Sequence, residues 1–192
     1  MPKIGMEPIR RASLIKATIA EIGDVGSLEV TVSRIAKRAG MSSALAHHYF
    51  GSKESIFLAS MRHVLTVYGA EVRGALAAAD TPESRARAVI RASFSAANFR
   101  REVVSAWLNF YVLAQTQPEA RRLLRVYQRR MISNLSHALR PIAHGNHVTI
   151  AQSVAAMIDG AYLHAVLGPE APDGKRAGAL IETYLTLALK EC

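Results

Sequence analysis

Residues 31–50 read TVSRIAKRAGMSSALAHHYF, and the architecture of the whole chain can be inferred outward from them. Thr31 and Ser42 each precede a short run with helical spacing, and both are residue types that cap a helix N-terminus. Gly40 separates the two runs and tolerates the positive φ that a tight turn requires. Ala36 supplies the small side chain needed where two helices cross steeply. The stretch therefore predicts a helix-turn-helix, whose second helix can enter a DNA major groove.

The second helix of this motif has the composition of a DNA-reading surface. A helix that faces only water normally carries Lys and Glu, whereas this one carries short neutral donors and an aromatic ring. Such side chains suit close approach to base edges and phosphates. They are Ser42, Ser43, Ala44, His47, His48 and Tyr49. On spacing alone, an ordinary helical hairpin within a bundle remains the alternative.

Helical spacing recurs through the rest of the chain, and no segment alternates apolar and polar residues long enough to suggest a sheet. Start and stop signals predict helices over 8–26, 32–39, 42–49, 52–79, 82–98, 101–116, 118–140, 148–167 and 175–190. The sequence thus predicts an all-α protein. Residues 1–52 form a three-helix N-terminal head, and residues 53–192 form a larger helical domain.

Charge and composition restrict the functions that the chain can have. It has 192 residues with 24 Lys and Arg against 15 Asp and Glu, a net charge of +9. This excess favours a polyanion partner such as nucleic acid, with a solvated basic surface as the alternative. The N-terminus has no apolar segment of a secretory signal. The longest apolar stretch, 153–167, is interrupted by Asp159 and His164 and is too short to span a bilayer. We therefore expect a cytoplasmic protein without a membrane partner.

Motifs of catalysis and of metal binding are missing from the sequence. It contains no nucleophile elbow, no Gly-rich phosphate loop and no His-Glu-x-x-His site. A single cysteine, Cys192, excludes a multi-cysteine zinc module. His144 and His147, with His137 upstream, are interpreted as a polar loop. The sequence therefore predicts no enzyme, no cofactor and no metal site, with a helical enzyme or a structural adaptor as remote alternatives.

The stretch from Thr31 to Ser55, which ends in HHYFGSKES, resembles the DNA-binding head of TetR-family repressors. In that family a three-helix head precedes a helical ligand-binding and dimerisation domain. The N-terminal MPKIGMEPIRRASLIKATI, the segment Ala106-Trp107-Leu108-x-Phe110 and the segment Arg129-Arg130-x-x-Ser133-Asn134-Leu135 are similar to the BetI group. Members of that group are choline-responsive repressors of the genes that make glycine betaine. The resemblance implies a palindromic operator as DNA partner and choline as inducer, with another small cationic or lipophilic ligand as the alternative.

The resemblance also implies which residues contact DNA. Thr31 and Ser33 are expected to contact phosphates. Base edges are assigned to Ser43, Ala44 and His47, and further backbone contacts to His48, Tyr49 and Lys53. Most family members carry Leu and Tyr where this chain has Ala46 and His47, so the operator sequence does not follow from the resemblance.

A choline sensor needs aromatic faces, because a quaternary ammonium has no N–H to donate and is bound by cation–π attraction. Trp107 has Phe110 and Tyr111 at i+3 and i+4 on one helical face. The other candidates for the pocket are Asn109, Asn98, Phe94, Tyr68, Tyr162 and Asp159. Core packing of the aromatics and a structural role for Asp159 remain the alternatives.

The last two predicted helices are rich in Ala, Leu, Val and Ile and carry few charges. Such faces pack against a partner, and the resemblance implies a four-helix bundle across a two-fold axis. We therefore expect a homodimer, with a single buried hairpin as the alternative. The basic cluster of Arg121, Arg122, Arg125, Arg129 and Arg130 is interpreted as a solvated surface.

Overall fold

The computed structural model describes residues 6–191, which form nine α-helices and no strand. Their bounds are α1 Met6–Val25, α2 Val32–Arg38, α3 Ser43–Phe50, α4 Lys53–Ala77, α5 Pro82–Ser93, α6 Arg101–Thr116, α7 Pro118–Leu139, α8 His147–Leu167 and α9 Gly174–Lys190. The all-α prediction is confirmed, and the boundaries lie close to the predicted ones except at the end of α5. Residues 1–5 of the N-terminal stretch and Cys192 lie outside the described residues.

Local capping explains why the predicted helix starts are accurate. The side chains of Thr31, Ser42, Ser52, Thr81 and Asp173 each accept a hydrogen bond from the backbone N–H three residues further on. At α5 the exchange is reciprocal, because the Ser84 hydroxyl also accepts from the Thr81 backbone N–H. Caps of this kind stabilise a helix by about 1 kcal/mol each.

Helix α5 ends at Ser93, well before the predicted end near residue 98. Its last carbonyls are taken by side chains from elsewhere: Asn98 Nδ2 donates to the Ala92 carbonyl at 2.9 Å, and the Tyr162 hydroxyl donates to the Ser93 carbonyl at 2.6 Å. The chain then turns so that Phe94 and Phe99 pack edge-to-face with their ring centroids 4.9 Å apart. The prediction was wrong here because the groups that end the helix come from tertiary contacts.

One apolar core runs through the described part of the chain and includes residues of the head and of the larger domain. Helix α1 packs against α4 and α6 as well as against α2. At Gly23 a Cβ would lie 2.7 Å from the Cα of Glu102 on α6, so a side chain does not fit there. The head is therefore held firmly on the larger domain, and the division after residue 52 stays a prediction.

Helix α8 is, by length and composition, long and apolar enough to cross a membrane. The sequence argument considered only residues 153–167, whereas the helix begins at His147. The core helix of a globular protein passes the same test, and α8 packs against α6, α7 and α9 with Ile158 and Tyr162 buried. Its composition is explained by this packing and by the exposed apolar face described below.

Candidate DNA-binding surface and ligand site

The helix-turn-helix has the turn that the sequence predicts. Gly40 has φ +68°, and the Met41 N–H donates to the Ala36 carbonyl at 2.9 Å, which closes the turn after α2. Ala36 and Ala46 are fully buried where the two helices are packed. The predicted positive-φ turn and the buried small residue at its base are thereby confirmed.

The outer face of α3 carries Ala44, His47 and His48 as exposed residues, with Ser43 half-buried. Ala46 points into the core, so of the two positions at which the chain departs from the TetR pattern that it resembles only His47 is on the exposed face. Nδ1 of His47 lies 3.2 Å from the Gly51 carbonyl. Because a carbonyl only accepts, this contact uses an N–H at Nδ1 and leaves Nε2 outside the bond. His47 is an exposed residue of the reading helix with one ring nitrogen not engaged in this contact.

Thr31, expected at a phosphate, and Ser42, at the start of the reading helix, have a structural function as well. Thr31 Oγ1 accepts from the Arg34 N–H and Ser42 Oγ from the Leu45 N–H, both at 3.2 Å. Each hydroxyl hydrogen remains available for donation to an anion. Ser33 is exposed beside them on α2. These side chains can thus hold the helix ends and contact the DNA backbone together.

Two arginines of α1 join the surface at the end of α3. Nη1 of Arg10 donates to the Tyr49 hydroxyl at 3.3 Å, and the guanidinium of Arg11 lies over the rings of Tyr49 and Phe50, 5.6 Å and 5.0 Å from their centroids. The Lys53 ammonium lies 5.5 Å from the Phe57 ring centroid at the start of α4. Sequence reasoning counted Arg10 and Arg11 only as basic residues, since a contact across 39 positions leaves no local signal.

A buried carboxylate anchors α2 to α1. Glu21 is 7% exposed, and its oxygens lie 3.0 Å from the guanidinium groups of Arg34 and Arg38. Arg38 also pairs with Asp24, and hydrogen bonds to Asp24 and then Glu21 raise the pKa of Arg38. Sequence analysis did not identify this cluster, which fixes the orientation of the helix-turn-helix on the head.

In the larger domain, three tyrosines pack around the single tryptophan, and a fourth tyrosine packs against one of these three. The ring centroid of Trp107 lies 4.6 Å from that of Tyr127, 5.8 Å from that of Tyr111 and 6.2 Å from that of Tyr162. Tyr68 packs edge-on against Tyr127 at 5.5 Å. We call Tyr68, Trp107, Tyr111, Tyr127 and Tyr162 the aromatic box; α4, α6, α7 and α8 all contribute to it.

Asp159 supplies the carboxylate of the aromatic box. The Tyr111 hydroxyl donates to its Oδ1 at 2.8 Å, and Gln128 forms a second hydrogen bond to it. Burial raises the pKa of Asp159, and the two hydrogen bonds partly oppose that shift. Burial also raises the pKa of Tyr68 to about 12 and raises the pKa of Tyr111, Tyr127 and Tyr162. The tyrosines therefore stay neutral, and the box combines uncharged rings with one carboxylate.

The candidate ligand residues from the sequence are only partly brought together. Trp107, Tyr111, Tyr162 and Asp159 meet in the box, while Phe110 is a core residue that packs edge-on against Trp107 at 6.0 Å. The structure does not bring Asn109 there: its amide donates to the carbonyls of Gly26 and Ser105.

Two further candidates also lie outside the box. Asn98 donates to Glu71 and Ala92, and Phe94 packs on Phe99 and Tyr162. Tyr127 was missed by sequence analysis, although its helical spacing with the buried residues Ala120, Met131 and Leu135 was a usable signal.

A cavity of about 480 Å³ lies between α4 and α7. Tyr68 and Tyr127 line it, so these two rings form a wall between the cavity and the rest of the aromatic box. A second cavity, of about 830 Å³, lies along α8 and α9. Within residues 6–191 no group of three or more His, Cys, Asp or Glu side chains is placed to hold a metal ion.

The outer face of α8 and α9 exposes large apolar side chains. Leu163 and Leu167 on α8 are 44% and 72% exposed, and Leu180 and Leu187 on α9 are 66% and 55% exposed. Leu185, in contrast, is fully buried within the protomer. Exposed apolar patches of this kind mark interaction surfaces in soluble proteins.

Comparison with protein families gives a match over most of the chain. Residues 14–60 match the model of bacterial regulatory proteins of the tetR family. Residues 82–190 match the C-terminal model of BetI-type transcriptional repressors. The two matches together cover the helix-turn-helix and the helices that form most of the aromatic box.

Individual relatives agree with the family models. The HTH-type transcriptional regulator BetI of Brucella suis is 50% identical over 192 residues, which covers 98% of this chain and 96% of that protein. BetI of Rhizobium meliloti is 46% identical, over 99% and 94% of the two chains. Among solved structures, a putative transcriptional regulator from Saccharomonospora viridis in complex with choline superimposes with a TM-score of 0.81. Its identity is 18%, over 92% of this chain and 95% of that one, and the likeness therefore shows a common fold.

Proposed function

This chain belongs to the TetR family of transcriptional regulators and to its BetI-type repressors, and on that premise we propose that choline is its inducer. The genes under its control are then those for choline uptake and for conversion of choline to glycine betaine. It acts in the cytoplasm as a DNA-binding repressor, without catalytic activity and without a cofactor.

The observation that carries this proposal is the aromatic box around Asp159. Choline has a permanent cation without N–H groups, so it is bound through ring faces and through a carboxylate rather than by hydrogen bonds to its charge. Each suitably placed ring contributes about 0.5–2 kcal/mol. The neutral tyrosines, Trp107 and the Asp159 carboxylate match these requirements. The choline complex of the Saccharomonospora viridis regulator supports the same ligand class.

The repressor acts as a homodimer through α8 and α9. The four exposed leucines lie on these two helices, and pairing across a two-fold axis would bury them in a four-helix bundle. A palindromic operator requires two heads spaced by about one helical turn of DNA or a multiple of it. The dimer therefore provides the second helix-turn-helix that each operator needs.

Induction is a shift between two conformations of this dimer. The residues of the box lie on α4, α6, α7 and α8, while α4 begins at Lys53 beside the head and α6 packs on α1. The position of these helices thus sets the distance between the two heads. A ligand that prefers the form with wrongly spaced heads by ~1.4 kcal/mol lowers operator affinity about tenfold.

A gel shift on the DNA upstream of the protein's own gene tests this function, with choline and with a cationic control that lacks the trimethylammonium group, such as ethanolamine. We expect a salt-dependent complex that choline releases and ethanolamine leaves intact. Calorimetry on the free protein must show choline binding. If the wild-type protein binds the operator but gives no heat with choline, the DNA-binding function stands and choline is not the inducer.

A further inference from the structure

The cavity between α4 and α7 has the size of a small-molecule site. Its volume of about 480 Å³ lies within the range of about 300–1,000 Å³ typical of ligand pockets. Tyr68 and Tyr127 form its inner wall and separate it from Trp107 and Asp159. It is therefore adjacent to the aromatic box but is lined by a different set of charges.

The lining of this cavity is cationic. Arg62 and Arg73 come from α4 and Arg130 comes from α7, together with the amide of Asn134, and the lining contains no Asp or Glu. In the described part of the chain, none of these three arginines forms an ion pair, whereas Arg38, Arg87 and Arg91 do. A concave surface lined by one sign of charge concentrates counter-ions.

One of these charges, on Arg73, lies close to the backbone that lines the cavity. Nη1 of Arg73 lies 3.4 Å from the position that a Cβ on Gly69 would take, so the guanidinium folds back along α4 over the glycine. Gly69 itself lines the cavity. The Arg73 guanidinium thus lies beside Gly69 in the cavity lining, and a guanidinium binds carboxylates and phosphates in a bidentate fork.

The rest of the lining is apolar. It is formed by Leu65, Val72, Leu123, Val126 and Met131. Apolar walls with a few converging polar groups are the usual composition of a site for an organic ligand.

We propose that the cavity between α4 and α7 binds a small organic anion, whose carboxylate or phosphate lies at Arg73 and Arg130 and whose short apolar body lies along the leucine and valine side chains. This site goes beyond choline sensing, because it takes the opposite charge and does not use Asp159. An anion that bridges α4 and α7 tightens the packing of the helix that leads into the head. Through the shared wall of Tyr68 and Tyr127 it also alters the affinity of the aromatic box, and by linkage the reverse holds.

Three probes with alkyl chains of five or six carbons separate charge from apolar packing: hexanoate, hexyl phosphate and hexyltrimethylammonium. Their affinities are measured by calorimetry on the full chain and on the Arg73→Gln/Arg130→Gln variant. The matched control is Arg122→Gln/Arg125→Gln, which removes two exposed charges from α7 outside the cavity. All the substituted side chains are exposed, and equal melting temperatures verify that the variants fold.

We expect at least one of the two anions to bind the wild-type protein and to bind the Arg73→Gln/Arg130→Gln variant about tenfold more weakly, as the loss of charge-assisted hydrogen bonds implies. The control variant should keep wild-type affinity for the anions, and hexyltrimethylammonium should not be weakened in either variant. Hexanoate and hexyl phosphate distinguish a carboxylate from a phosphate ligand.

Two results would overturn the proposed site. Either neither anion binds the wild-type protein, or the anion affinity of the Arg73→Gln/Arg130→Gln variant falls no further than that of the control variant. If hexanoate binding depends on Arg73 and Arg130 but the protein does not bind choline, the anion site is supported and choline is not the inducer.

Discussion

The Tyr111 hydroxyl donates to the Asp159 carboxylate at 2.8 Å, and this bond joins α6 to α8 inside the aromatic box. It holds a carboxylate whose pKa is raised by burial. The buried charge therefore costs folding free energy, and under the proposed function it would contribute binding free energy to a cation.

Asp159→Asn should raise the melting temperature at neutral pH and weaken choline binding about tenfold, ~1.4 kcal/mol. Because the pKa of Asp159 is higher in the folded chain than its ordinary value of 3.8, its favourable contribution is complete below that value and is lost as pH rises through the folded pKa. As pH rises through the folded pKa, the wild type should therefore lose stability relative to Asp159→Asn. As pH falls through the same pKa, the carboxylate becomes protonated and the wild type should bind choline more weakly. Thermal melts and calorimetry at several pH values test this, and a variant that binds choline as wild type does would exclude Asp159 from the site.

Trp107→Phe and Tyr127→Leu should each raise the choline concentration needed for operator release, since each weakens or removes a ring face worth about 0.5–2 kcal/mol. Trp107→Phe keeps an aromatic ring and avoids the loss of about 3–5 kcal/mol expected from truncating a buried tryptophan to alanine. The control for choline affinity is Tyr184→Leu, a half-buried tyrosine on α9 outside the box; it is used in calorimetry only, because it lies on the same stripe of α9 as Leu180 and Leu187. If calorimetry gives the wild-type choline affinity for Trp107→Phe and Tyr127→Leu as well as for the control, the aromatic box is not the ligand site.

Lys53→Ala should weaken binding to every DNA sequence by a similar factor. It should also reduce the slope of log affinity against log salt concentration by about one unit per protomer, because each protomer loses one phosphate contact. Lys190→Ala, which removes an exposed lysine at the far end of α9, is the matched control. His47→Ala should instead change which base is preferred, because His47 is exposed on the helix expected to enter the major groove. Binding to a library of operator variants distinguishes the two roles, and a change of base preference in Lys53→Ala would contradict them.

Leu180→Glu and Leu187→Glu should each convert the proposed dimer into a monomer that no longer binds a palindromic operator. Both side chains are exposed on the protomer, so a charge there disrupts the interface and not the core. Val112→Glu, at an exposed apolar position on α6, is the control and should remain dimeric. Leu185→Glu is not a useful probe of assembly, since Leu185 is fully buried and a charge there unfolds the protomer. Equilibrium sedimentation decides the matter: an unchanged dimer in both α9 variants would rule out this interface.

Glu21→Gln should lower operator affinity severalfold and leave choline affinity unchanged, because Glu21 orients α2 through Arg34 and Arg38 but lies outside the aromatic box. Its matched control is Glu83→Gln, which loses an exposed pair with Arg87 on α5, of small energetic value and outside the DNA-binding surface. Gel shifts and calorimetry on both variants give the two affinities. Equal operator binding by the two variants would show that the buried cluster does not orient the helix-turn-helix.

Much of the fold was predictable because its signals are local. The caps at Thr31, Ser42 and Thr81 act on backbone groups within three residues, and Gly40 determines its own turn. The end of α5 was not predictable, because Asn98 and Tyr162 reach its carbonyls from other segments.

Helical spacing placed Trp107 and Tyr111 on one face of α6, and that relationship holds whatever α6 packs against. Which rings complete the box depends on how α4, α7 and α8 cross α6. A change of one residue in register turns a helical side chain by about 100°. Tyr127 therefore enters the box and Asn109 turns toward Gly26, although both lie in helices that were correctly predicted. Sequence was sufficient for the helices and the family, because both are properties of neighbouring residues. The electrostatics of the ligand site required the tertiary structure, because burial and the distance between charges arise only when helices pack.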